Sequence, residues 1–210
     1  MLKLYDCETA PSPRRARMLL AEKGIEHETI QIDLQKGEQM GQAFRAINPS
    51  CTVPALVTEG GDVLTENASI TAFLEAAYPE KPMLGKTPIE QAEVAKWNWR
   101  AESNGLAAVA EALRNASPNM KDRAIAGPRN VKQIPELAKR GHQRIAWFFE
   151  DLNSQLQENS FVAGDSYSVA DITATIVVDF ARWVKAYPLE SQTALIEWHK
   201  RMKARPSYTA

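Results

Sequence analysis

Cysteine is nearly missing from this chain: Cys7 and Cys51 are the only two in 210 residues. Two cysteines without CxxC or metal-ligand spacing exclude a disulfide framework and a thiolate metal cluster, and both are expected to be reduced. Histidine is as sparse, with His27, His142 and His199 scattered, so no metal site is expected. An excess of one charge is also lacking. Against 25 Lys and Arg stand 26 Asp and Glu, a formal net charge of −1, which leaves no basic footprint for nucleic acid. No apolar run approaches the roughly 20 residues of a membrane span, and the chain passes from Met1 straight into a strand-like stretch rather than a signal peptide. Internal repeats and low-complexity tracts are absent. The expectation is a soluble, cytoplasmic protein without nucleic-acid or membrane partners, long enough for one or two domains.

What is present divides in two. Residues 1–80 alternate strand and helix: a strand over residues 2–5, a helix over 13–23, period-two alternation over 27–33, and a helix near 38–46. An apolar strand, a hairpin turn at Gly60-Gly61-Asp62, a short return strand and a helix to about Ala77 follow. This β-α-β, α, β-β-α order is that of a thioredoxin-like unit. Two prolines and a glycine between Tyr78 and Gly85 read as a linker. Beyond it helical periodicity dominates: one long helix over 88–115, a loop over 118–128, and helices over 134–157, from Ser168, and over 189–203. Ser168-Val169-Ala170-Asp171 is a capping box with Asp in place of Glu or Gln and Tyr167 as a possible staple residue; Ser168 and Asp171 are therefore assigned to folding.

The chemistry-bearing stretch is Thr52-Val53-Pro54-Ala55-Leu56, followed by Glu66-Asn67-Ala68-Ser69-Ile70. A proline in a strand-like run cannot donate a ladder hydrogen bond, and a cis Val53-Pro54 bond is the productive reading. It would turn the Val53 N–H and C=O outward, where an extended peptide can pair with both. Asn67 is expected as the N-cap of the next helix, whose positive end accepts a carboxylate, and Glu66 as acceptor for an α-amino group. Together they describe a site for a short peptide bearing an amino-acid head group.

These motifs carry a resemblance that spans nearly the whole chain. With Leu2-Lys3-Leu4-Tyr5, the Arg14 to Gly24 helix, Asn48-Pro49 ahead of Val53-Pro54, and Phe161-Val162-Ala163-Gly164-Asp165 leading into the capping box, the sequence resembles a cytosolic glutathione transferase of the bacterial or fungal type. The resemblance implies an α/β thioredoxin-like N-terminal domain, residues 1–80, that binds glutathione. It also implies a linker at 81–87 and an all-α helical bundle, residues 88–210, that contributes the electrophile pocket. Glutathione would be a cosubstrate, with no tightly bound cofactor or metal, and a homodimer and a role in detoxification are implied. Val53 would pair with the cysteinyl backbone, while Glu66 and Asn67 would hold the γ-glutamyl head. Gln39, with Lys36 and Thr52 behind it, is the candidate for the glycyl carboxylate.

Such an enzyme must favour thiolate over thiol. A thiol of pKa about 8.5 needs a shift of about two units, roughly 2.7 kcal/mol, which a hydroxyl hydrogen bond and a helix N-terminus supply between them. Counting back from Glu22-Lys23-Gly24, the position of the catalytic Ser in several branches falls on Ala10, which has no hydroxyl. The catalytic Cys position of the bacterial beta branch falls on Ser12, and the Tyr position falls on Asp6. Ser12 leads as thiolate donor, by hydroxyl or backbone N–H, followed by Thr9 and Cys7. Each has a plainer role open to it: Ser12 as an N-cap with Pro13 at N1, Cys7 as a small buried hydrophobe, Cys51 as a loop residue. Tyr5 is assigned to sheet packing.

A water oriented by the helical domain is the alternative activator, with Arg114, Asn115 and Ser117 as its polar candidates. For the small apolar electrophile the helical stretch offers Trp97, Trp99, Leu106, Val109 and Leu113, most of them expected in the core. Two other readings stay open: a glutathione-dependent disulfide or peroxide reductase or isomerase, and a non-catalytic interaction module on the same fold.

Overall fold

The computed structural model describes all 210 residues, and they form two compact units. The first comprises Met1–Lys81, Ala126–Arg129 and Thr209–Ala210. Its sheet grows from the alternation in β1 (Leu2–Asp6), where Leu2, Leu4 and Asp6 point inward and Lys3 outward. β2 (His27–Gln31) pairs parallel to β1 after the helix α1 (Pro11–Lys23), and β3 (Ala55–Val57) and β4 (Val63–Thr65) add antiparallel strands, in the order β2-β1-β3-β4.

The helix expected near residues 38–46 is two pieces, a 3₁₀ turn Glu38–Met40 and α2 (Gln42–Arg45), because Gly41 between them is extended at φ −71, ψ 155. α3 (Asn67–Ala77) packs against α1. Leu4, Leu20, Leu56, Ile70 and Leu74 are fully buried, each worth about 1.5–3 kcal/mol of burial. Gly24, in the left-handed region at φ 70, ends α1. Beside it the buried Lys23 ammonium pairs with Glu75 at 2.7 Å and donates to the Tyr78 and Lys81 carbonyls at 2.8 Å.

The second unit, Pro82–Ile125 and Asn130–Tyr208, is helical. Thr87 and Glu90 form a full capping box at the head of α4 (Pro88–Arg100), which runs through a π-helical stretch, Ala101–Leu106, into α5 (Ala107–Ala116). The expected single helix is thus continuous but widened in the middle. Gly105 fits there because a Cβ would lie 2.6 Å from a Val177 methyl, and the Arg144 guanidinium donates to the Ser103 carbonyl that the wide turn releases. α6 (Pro135–Glu158) crosses α5 closely at Gly141, where a Cβ would meet the Ala108 carbonyl oxygen at 2.7 Å.

α7 (Val169–Ala181) is buried along almost its whole length and opens on the predicted Ser168–Asp171 capping box. α8 (Thr193–Lys203) begins four residues later than expected, because Gln192 folds back so that its Oε1 accepts the Leu189 N–H at 2.8 Å. Trp97, Phe148, Leu152, Val177, Leu195 and Trp198 belong to one apolar cluster. No helix is long and apolar enough to cross a membrane.

Candidate active site

The Val53-Pro54 peptide bond is cis. The ladders of β3 begin at Ala55, paired with Tyr5 and Thr65, so the backbone of Val53 lies outside them. Its side chain is anchored in a small cluster with Cys7 and Phe44, against which Tyr5, Ala10, Ile32 and Leu34 pack. The approach is held by buried Asn48: its Nδ2 donates to the Thr52 carbonyl at 2.8 Å and Oγ1 at 3.2 Å, and its Oδ1 accepts the Ser50 N–H at 3.0 Å. Cys51 has φ 55 and a buried thiol directed at the Pro49 carbonyl, 3.5 Å away, which makes it a packing residue of the loop.

α1 starts two residues earlier than expected. Ala10 is its N-cap, with no side-chain cap, Pro11 is N1, and Ser12 is N2 rather than the cap. A helix leaves its first amides without intrahelical partners. Here the Ala10 N–H turns back to the Cys7 carbonyl at 2.9 Å, and Pro11 and Pro13 have no N–H to offer. The Ser12 amide is thus the one orphan donor of that first turn, and the Ser12 hydroxyl stands beside it. Cys7 is nearly buried, with Sγ 3.6 Å from the Oγ1 of exposed Thr9.

The loop ahead of α1 hangs on a buried carboxylate. Asp6, 1 % exposed, accepts Arg17 at 2.5 Å and Gln31 Nε2 at 2.6 Å. Arg17 also donates to the Glu8 carbonyl at 3.0 Å and reaches the Cys7 carbonyl at 3.5 Å, while Gln31 Oε1 accepts the Glu8 N–H at 3.0 Å. Peptide groups on both sides of Glu8 are therefore fixed by two side chains that share one anchor.

At the head of α3 the expectation for Asn67 is corrected. The N-cap is Glu66, exposed and in an unusual conformation (φ 68, ψ 138), and Asn67 is the first helical residue. Its side chain does not accept from the first amides of α3 as a capping side chain would. It faces α1 instead, with Nδ2 3.1 Å from both the carbonyl oxygen and the Oγ of Ser12. Gln39 is buried with its Oε1 unpaired, and exposed Lys36 is bonded to Asp33 at 3.1 Å, a contact that raises its ammonium above the ordinary value.

Family models place this geometry among known proteins. The glutathione S-transferase N-terminal domain matches residues 9–77, and the glutathione S-transferase C-terminal domain matches residues 108–206. The chain belongs to the glutathione S-transferase family. Glutathione S-transferase 2 of Saccharomyces cerevisiae is 35% identical over 207 residues, 97% of this chain and 86% of that protein. A crystal structure of Gtt2 from Saccharomyces cerevisiae superposes with a TM-score of 0.88 at 34% identity, covering 98% of this chain and 97% of that one. A glutathione S-transferase domain-containing protein of Marinobacter aquaeolei superposes at 0.89 with 33% identity, covering 98% of each chain.

In this glutathione transferase the polar candidates of the helical unit are tied to residues of that same unit. Arg114 donates to the Arg123 carbonyl at 2.8 Å, and burial holds its guanidinium below the ordinary value. Asn115 donates to the Glu111 carbonyl and accepts the Ile134 N–H, both at 2.9 Å. The carbonyls of Arg114 and Ser117 accept Gln133 at 2.7 Å. Of the apolar candidates, Trp97 and Val109 are core, Leu106 and Leu113 are half-buried, and Trp99 is 63% exposed.

Sequence reasoning missed the Asp6, Arg17 and Gln31 triangle, although a signal existed. Asp6 continues the inward phase of Leu2 and Leu4, and an inward carboxylate demands a buried cation or several donors. The contact from Asn67 to Ser12, across 55 positions, left no local trace.

Proposed function

We propose that this family member binds glutathione on residues 1–80 of its first unit and activates the sulfur through Ser12. The observation that carries this reading is the head of α1, where the Ser12 N–H and hydroxyl are the donors left over by an alanine cap and two prolines. Two donors aimed at one anion, at the positive end of a 13-residue helix, are enough to lower a thiol pKa by about two units. Thr9 and Cys7 are subordinate candidates, since Thr9 is exposed and the Cys7 thiol is nearly buried in the Val53 cluster.

Val53, free of the ladder, is assigned to the cysteinyl backbone, and Glu66 to the γ-glutamyl amino group. The amides at the head of α3 take the γ-glutamyl carboxylate. Gln39, whose buried Oε1 is unpaired, is assigned to the glycyl end, with Lys36 and Thr52 as the next candidates. Residues 88–210 are assigned the apolar electrophile. Proton loss from glutathione followed by thiolate attack on an electrophilic carbon is the proposed reaction, in a cytoplasmic homodimer serving detoxification.

A second reading, disulfide reduction, is supported by the disulfide-bond oxidoreductase YfcG of Escherichia coli, 25% identical over 218 residues and covering 99% of this chain and 92% of that protein. Faster turnover of mixed disulfides than of aryl halides would favour it.

The test is calorimetric titration with glutathione and with S-methylglutathione between about pH 5.5 and 8.5, on wild type and Ser12→Ala. Proton release with glutathione alone, lost in the variant, is the expected result. Binding of neither ligand would overturn the reading and favour an interaction module.

A further inference from the structure

Asn67 does more here than stand at the start of a helix. It is 8% exposed, and its amide nitrogen lies 3.1 Å from two Ser12 atoms, the backbone carbonyl oxygen and Oγ. A carbonyl oxygen can only accept, so the group facing it must be the amide nitrogen and not the amide oxygen. That nitrogen cannot accept either, so the contact to Oγ also runs from Asn67 to Ser12. The Ser12 hydroxyl is thereby an acceptor on the Asn67 side, and its own hydrogen must be directed elsewhere. A helical serine commonly returns that hydrogen to the carbonyl four residues back. For Ser12 that residue is Glu8, which lies ahead of the helix, and no hydrogen bond joins the Ser12 hydroxyl to its carbonyl.

We propose that Asn67 is a positioning residue for the transferase reaction: its amide fixes the Ser12 hydroxyl as a donor aimed at the glutathione sulfur. The proposal rests on the reading of Ser12 given above and adds to it. Ser12 transfers no proton in this scheme. The thiol proton leaves to solvent, and the Ser12 O–H, polarised by the hydrogen bond it accepts, stabilises the thiolate left behind. The Asn67 amide nitrogen faces Ser12, and the γ-glutamyl carboxylate is assigned to the backbone amides of α3.

The experiment is a double-mutant cycle on the full chain with Asn67→Ala, Ser12→Ala and the double variant. Two quantities are read for each: the pKa of the bound glutathione thiol, from thiolate ultraviolet absorbance, and the affinity for S-methylglutathione, which has no ionisable sulfur. Asn67→Ala is expected to raise the bound thiol pKa by about one pH unit, and to do so only where Ser12 is present. S-methylglutathione affinity is expected to change less than about threefold, well under the tenfold of a lost charge-assisted contact. A rise in Ser12→Ala but not in Asn67→Ala overturns the role of Asn67 and leaves Ser12 standing. No rise in either overturns both. An equal rise from Asn67→Ala with and without Ser12 also overturns the inference, since the effect then bypasses the hydroxyl. Should Asn67→Ala fold poorly, Asn67→Asp makes the same test by polarity: its carboxylate draws the Ser12 hydrogen to itself and is expected to raise the thiol pKa further, and an unchanged pKa there overturns the proposal.

Discussion

Two helix starts in this molecule are built in opposite ways. At α7, Ser168 and Asp171 close the first turn, and the Asp171 carboxylate also accepts the Val162 N–H at 2.9 Å and the Trp198 indole N–H at 3.0 Å. The arrangement is buried and no donor is left for a ligand. At α1 the cap is an alanine, two prolines remove amides, and Ser12 keeps its amide and its hydroxyl hydrogen without an acceptor in the chain, although the hydroxyl oxygen accepts from Asn67. A closed start contributes stability; an open one leaves the helix dipole and its donors for an anion. The two starts differ in what they leave unpaired, although each has a serine in its opening turn, Ser168 as the cap and Ser12 as the second helical residue.

The largest expected effect comes from breaking the closed start. Asp171→Ala leaves the Ser168 N–H and hydroxyl, the Val162 N–H and the Trp198 N–H without their acceptor and should destabilise the fold by about 3–5 kcal/mol, read as a lower denaturation midpoint at unchanged slope. Glutathione binding per folded molecule should be unaffected. Burial pushes the Asp171 carboxyl up to about 6, against the hydrogen bonds that pull it down. Between about pH 4 and that value the folded state binds more protons than the unfolded one, so this residue's contribution to stability falls as pH rises and levels off above it. Denaturation midpoints of wild type and Asp171→Asn across that range should show their difference shrinking with rising pH; a widening gap would contradict the assigned direction.

Next comes the anchor of the open start. Arg17→Met leaves the buried Asp6 carboxylate with Gln31 alone and should cost about 3 kcal/mol, with a loss of transferase turnover beyond the loss of folded protein. Retained turnover would show that the Cys7 and Glu8 peptides need no such clamp. Ser12→Ala leaves the fold in place and should lower kcat at neutral pH by about ten- to a hundredfold, recovered at high pH as glutathione ionises unaided. The smallest effect is expected from Gln39→Ala, a rise of a few fold in KM for glutathione with kcat unchanged. An unchanged KM removes Gln39 from the site.

Much of the fold was legible because its signals are local. The period-two alternation of residues 2–5, the helix ending at Gly24, the proline after Val53 and the capping box at Ser168 each act within a few residues, and each stands in the structure close to its expected place. The errors fall where a neighbour in sequence competes with a partner in space. Ser12 before Pro13 looked like a cap, yet Ala10 and Pro11 start the helix two residues earlier. Asn67 looked like a cap, yet its amide found Ser12 across the unit. The widened turn at Ala101–Leu106 was invisible because the groups that meet it, the Val177 methyl against Gly105 and Arg144 on the Ser103 carbonyl, are supplied by other helices.

The sequence by itself determined the two-part architecture, the family and the positions of the Val53-Pro54 and Glu66-Asn67 motifs, since composition, periodicity and turn chemistry are properties of consecutive residues. Only the tertiary structure decided which polar groups at those motifs are occupied and which are left open. Hydrogen-bond saturation depends on what the fold brings within about 3 Å, from any distance along the chain.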